Sequence, residues 1–182
     1  ASASINFALY YLFQATLGKK FLEDFAGMSS STAAAFPFAM MVVIILAMLI
    51  AAYFARSLKK RKPILLFAVT ITLLAATLML IALLLHLPRW TFLGAYLLLA
   101  LSSSCSPIFS TAMKELNNPD STATAIGLLN GVNYLTVALL TTAAGTILDI
   151  YSHAAIKTPT AIIYPPQAYA TLFTFCLVLA AA

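Results

Sequence analysis

Five stretches of the chain carry no charged side chain: 25–55, 63–88, 90–113, 121–148 and 158–182, the last running off the C-terminal end. Each is apolar and long enough for a bilayer-spanning helix, which needs about 20 residues at 1.5 Å rise. A sixth segment, Ile5 to Phe25, bunches Lys19, Lys20, Glu23 and Asp24 into its last turns, where Lys19–Glu23 and Lys20–Asp24 are i,i+4 pairs of opposite sign. The pattern predicts an all-α membrane protein with six transmembrane helices, at about 5–25, 35–58, 63–87, 90–114, 121–149 and 167–182.

Local signals refine this. Pro37 is expected in the first turn of the second helix and Pro63 at the start of the third, where a missing N–H costs nothing. Trp90 suits the interfacial start of the fourth, which should bend where Ser102 to Ser106 meet Pro107. Pro119-Asp120 reads as a helix start with an acid at the positive end of the dipole. Lys157, Pro159, Pro165 and Pro166 deny continuous helix to the loop from Ile150 to Pro166.

Composition removes the soluble alternative, because 63% of residues are hydrophobic and 8% charged, about a third of the charged share of soluble domains. The net charge of +5 does not call for nucleic acid, since half of the ten basic residues form one cluster, Arg56, Lys59, Lys60, Arg61 and Lys62. A basic loop between spans marks the cytoplasmic face. With six spans that side holds six Lys and Arg against four opposite. Cys105 and Cys176 lie in apolar segments, so neither disulfide nor metal site is expected, and His86 and His153 have no second ligand at metal spacing. No hydrolytic motif, phosphate-cradling loop or cofactor signature occurs, and no enzymatic activity is expected. The start lacks an initiator methionine and a basic leader, and both ends read as cuts in a longer chain.

Candidate chemistry sits on two helices. In the fifth, Asn130, Asn133 and Tyr134 are spaced i, i+3, i+4 near mid-helix, giving one polar face that is either a helix contact or a cavity wall. Gly127, Gly131 and Ala138 form an adjacent small-residue stripe suited to close packing. In the first, Asn6, Tyr10 and Gln14 recur at i, i+4, i+8 beside Phe7, Tyr11 and Phe13, as a small polar ligand would need or as an aromatic seam would give. Tyr10, Gln14, Asn130, Asn133 and Tyr134 are the substrate-binding candidates. The acids and lysines at 19–24 read as a self-neutralising interfacial cluster, while Asp149 at a helix C-terminus needs a partner.

The stretch Ala52-Tyr53-Phe54-Ala55-Arg56-Ser57-Leu58-Lys59-Lys60-Arg61-Lys62-Pro63, the helix Thr124 to Tyr134 closing with Gly145-Thr146-Ile147-Leu148-Asp149, and Tyr164-Pro165 with Tyr169 together resemble the C-terminal half of a major facilitator superfamily transporter. Ala52, Arg56 and Ser57 stand where the family's loop motif has glycine, aspartate and arginine, so its acidic gate contact does not carry over, while Lys60, Arg61 and Lys62 keep the basic end. The resemblance implies a six-helix bundle that rocks against a missing N-terminal half, moving a small polar solute such as an amino acid, sugar or nucleoside across a bacterial inner membrane. The competing expectation is a non-transporting membrane subunit or receptor that serves as an assembly scaffold.

Orientation is directly testable. Cysteines replacing Lys60 and Thr158 should label from opposite sides of the membrane, position 158 from outside intact cells with an impermeant thiol reagent. External labelling of 60 with 158 spared means that the topology is inverted.

Overall fold

The computed structural model describes residues 2–57, 62–159 and 161–181. These residues are mostly helical: α1 (Ser2–Tyr11), a π turn (Leu12–Thr16), α2 (Gly18–Asp24), α3 (Ser30–Ser57), α4 (Lys62–Leu84), α5 (Arg89–Ser103), α6 (Ser106–Leu116), α7 (Pro119–Ile150) and α8 (Pro166–Ala181). Ser30–Tyr53, Lys62–Leu84, Arg89–Leu116 taken through its break, and Pro119–Ile150 are each long and apolar enough to cross a membrane. The remaining apolar helix, α8, has 16 residues, or about 24 Å at 1.5 Å rise.

The first segment is not one continuous helix. Leu17 N–H donates to the carbonyl of Leu12 at 2.8 Å, an i→i−5 bond that widens the turn. Glycine at 18 is what permits this, because a Cβ there would lie 1.9 Å from the Phe13 carbonyl oxygen. The buried Tyr96 hydroxyl on α5 donates to the Gly18 carbonyl at 2.9 Å and ties the widened turn to its neighbour.

α3 starts at Ser30, earlier than the apolar pattern suggests, because Ser29 caps it. Its Oγ accepts from Thr32 N–H at 3.3 Å and its carbonyl from Ala33 N–H at 2.9 Å. Pro37 therefore lies about two turns inside the helix and not in its first turn. The bend in the fourth segment is present as a break at Ser104-Cys105, where Pro107 supplies no N–H and Cys105 N–H turns back to the Ser102 carbonyl at 3.3 Å. α7 begins at Pro119 behind Asn118, whose carbonyl accepts from Ser121 N–H at 3.0 Å. α4 closes with a pair of bonds, His86 N–H to Leu83 and Leu87 N–H to Ala82, that puts His86 at φ 49°. Glycine usually fills this left-handed position, and a side chain there costs on the order of 1 kcal/mol.

α4 packs on α5 and α8, α3 on α5, and α1 on α7. The core is aromatic around Phe21, whose ring lies 5.1 Å from Phe92, 5.1 Å from Tyr169 and 4.8 Å from Phe173, mostly edge to face. Such pairs add about 0.5–1.5 kcal/mol each beyond burial. The loop after α7 carries a two-stranded antiparallel hairpin, β1 (Ile156–Lys157) and β2 (Ile162–Ile163), with Ile156 opposite Ile163. α7 lies at the edge, and Leu128, Leu135 and Leu139 are exposed along it.

Gly18→Ala should lower the melting temperature in detergent by several degrees, a loss of about 2 kcal/mol or more, since backbone must move to admit the methyl group. Gly94→Ala, with nothing within 4 Å of its added Cβ, is the control and should be neutral. Equal melting temperatures for the two variants would contradict the π turn.

Candidate functional site

Asn6 on α1 is buried and saturated. Its Nδ2 donates to Thr72 Oγ1 on α4 and, at 2.6 Å, to Ser102 Oγ on α5, while its Oδ1 accepts from Ser103 Oγ at 2.9 Å. Thr72 Oγ1 also lies 3.0 Å from Ser102 Oγ and donates to the Ala68 carbonyl at 2.8 Å, while Ser102 donates to the Leu99 carbonyl at 3.1 Å. One amide thus joins three helices. A second buried pair links α1 to α7, with Ser4 Oγ donating to Asn133 Oδ1 at 2.8 Å.

Asn133 consequently turns into the bundle, and the face expected to combine it with Asn130 and Tyr134 is divided. Asn130 is exposed and makes no hydrogen bond among the described residues, and Tyr134 is exposed although its ring meets Phe7 at 5.6 Å and Tyr11 at 6.1 Å. Helical spacing places residues 133 and 134 about 100° apart, so an inward Asn133 leaves Tyr134 at the rim. Gly127 and Gly131 on the same helix are exposed, and a Cβ at either would touch nothing. Among the described residues nothing packs closely on the two glycines of the small-residue stripe, and its Ala138 is exposed as well.

On the first segment Tyr10 is buried with its ring 6.3 Å from Tyr11, and Gln14 is half-buried within the π turn. The extra residue of that turn breaks the 3.6 period that would stack Asn6, Tyr10 and Gln14. Of the basic trio, Lys62 opens α4 and is exposed, while Lys60 and Arg61 lie outside the described residues. Sequence alone does not single out Thr72, Ser102 or Ser103. The serine run at 102–106 was the available signal, since hydroxyls beside a helix break in an apolar segment need partners.

Cavities lie elsewhere. An apolar groove of about 380 Å³ is lined by Ala47, Ala51, Ile64, Phe67, Cys105 and Ile108 among others, and a pocket of about 100 Å³ reaches Asn6 and Thr72 beside the end of α8. Neither touches Tyr10, Gln14, Asn130, Asn133 or Tyr134.

At the end away from the basic cluster, the expected ion pairs form. Lys19 meets Glu23 at 3.5 Å and Lys20 meets Asp24 at 3.0 Å. Asp24 also accepts from the Tyr169 hydroxyl at 2.7 Å and Tyr164 N–H at 3.2 Å, and Lys20 donates to the Ile162 carbonyl at 2.6 Å. The pair pins the hairpin loop onto α2. The Tyr164 hydroxyl donates to Asp149 at 3.4 Å, supplying the partner this acid lacked in sequence. Burial and then the Asp149 carboxylate raise the Tyr164 phenol above its usual range.

No family model, curated protein or solved structure matches the chain.

The two asparagine types should separate in stability. Asn6→Ala leaves three hydroxyls without their shared partner and should cost roughly 1–2 kcal/mol, read as a lower melting temperature. Asn130→Ala should change stability by less than about 0.5 kcal/mol. Equal losses would mean that Asn130 is held inside the bundle.

Proposed function

We propose that this chain is the C-terminal six-helix half of a secondary transporter of the major facilitator superfamily kind, carrying a small polar solute by alternating access against an N-terminal bundle in a bacterial inner membrane. On this reading the α1–α2 unit and α8 are the first and last spans, added to the four long apolar helices. The observation that carries it is the open face of α7, where Asn130 and the bare backbone at Gly127 and Gly131 stand uncovered in mid-helix. An amide left against hydrocarbon goes unsatisfied at a cost of several kcal/mol. The face therefore fits a second bundle or a water-filled cavity between bundles, and half-buried Gln14 on the first span is kept as a separate solute-ligand candidate.

The second reading is a non-transporting scaffold subunit. It is favoured by the buried side-chain polar atoms, which among the described residues all have partners and so leave no internal group waiting for a ligand.

In the complete transporter, Gln14→Ala and Asn130→Ala should each weaken solute binding about tenfold, or roughly 1.4 kcal/mol, with little change in melting temperature. Candidate solutes are amino acids, sugars and nucleosides, tested as labelled substrates in proteoliposomes. The purified 182-residue chain alone should show no counterflow. Saturable counterflow by this chain, or intact affinity with lowered stability in both variants, removes the assignment.

A further inference from the structure

Between the end of α2, the link from α4 to α5 and the start of α8 lies a cavity of about 500 Å³. Phe25, Leu87 and Phe92 give it apolar walls, and Asp24, His86 and Arg89 are its ionisable lining. Asp24 is already compensated by Lys20, the Tyr169 hydroxyl and Tyr164 N–H. Arg89 is not, because among the described residues it forms no ion pair and rests 5.3 Å over the Trp90 ring. The uncompensated charge facing this space is therefore positive.

His86 points the same way. It occupies the left-handed closing position of α4, where glycine fits without strain, and its ring instead stacks on Phe25 at 5.8 Å along the cavity wall. A strained residue that a smaller one would relieve is often kept for what its side chain does. Trp90, exposed beside Arg89 at a helix start, has the placement that tryptophans at a membrane interface favour.

We infer that this cavity binds an anionic phosphate ester, with Arg89 and the His86 ring donating to its oxygens and Phe25 and Phe92 flanking its apolar part. A guanidinium fork matches phosphate oxygens in pairs. The chemistry is shared by a phospholipid headgroup and by free phosphate, and the volume and apolar walls favour the headgroup. The inference stands apart from the transport reading and needs no second bundle.

Trp90 is the single tryptophan of the chain and serves as reporter. The chain, purified in a maltoside detergent, is titrated with dihexanoylphosphatidylglycerol, with inorganic phosphate and with uncharged dihexanoylglycerol, and the midpoint of any fluorescence change is read. Saturation with the phosphatidylglycerol alone assigns a headgroup site, and saturation with inorganic phosphate as well assigns a general phosphate site. Arg89→Gln should raise the midpoint at least tenfold. His86→Gly should raise it several-fold while leaving the melting temperature unchanged or higher, because it relieves the backbone. An unsaturable response, an equal response to dihexanoylglycerol, or a midpoint unmoved by Arg89→Gln overturns the site. A lower melting temperature with unmoved binding in His86→Gly overturns the role of that histidine.

Discussion

A hydrogen-bonding group enclosed among apolar helices has no water to turn to, and the arrangement of this bundle follows from how Asn6 is answered. Thr72, Ser102 and Ser103 approach one amide from two helices, so α1, α4 and α5 have a common point of register. Apolar packing alone tolerates sliding, because one leucine contact substitutes for another at little cost. The Asn6 contacts do not, since a shift of one residue in any of the three helices strands at least one polar group at about 1–3 kcal/mol.

With α1 fixed at one end, the rest of the first segment is fixed at the other by different chemistry. The π turn lies between these two anchors; Gly18 permits it by leaving room for the Phe13 carbonyl, and the Tyr96 hydroxyl ties it to α5. Beyond it, Lys20 and Asp24 hold the hairpin loop, so the connection from α7 to α8 is clamped to α2. α7 is linked to α1 through Ser4–Asn133 and an aromatic edge at Tyr134, and much of its surface stays uncovered. A helix so lightly held is the natural place for another body to pack or for solvent to enter.

Much of this was legible in the residues. Charge-free runs located the long helices, Pro119-Asp120 and the serine-proline cluster marked a start and a break, and i,i+4 spacing anticipated both ion pairs. What was not legible depended on contacts distant in sequence. Periodicity gives the angle between Asn130 and Asn133 but not which of them faces inward, and Ser4, 129 residues away, decides it. Gly18 looks like an ordinary helical glycine until the Phe13 carbonyl is beside it. The capping power of Ser29 was hidden in a run of small polar residues that reads equally well as a loop.

The mid-helix amides fall into two kinds: Asn6 and Asn133, whose hydrogen bonds hold the bundle together, and Asn130, which is exposed and which the proposed function turns away from lipid. Cysteine reactivity in membranes measures that division most directly, with Asn130→Cys and Leu128→Cys placed singly in the protein after Cys105 and Cys176 are replaced by alanine. Leu128 is exposed about 200° around the same helix and provides the lipid-facing reference. A water-soluble methanethiosulfonate should modify position 130, or be blocked there only by a cross-linkable protein neighbour, while leaving 128 untouched. If 130 and 128 are equally inert and neither cross-links to protein, Asn130 faces lipid and the account of this surface is wrong.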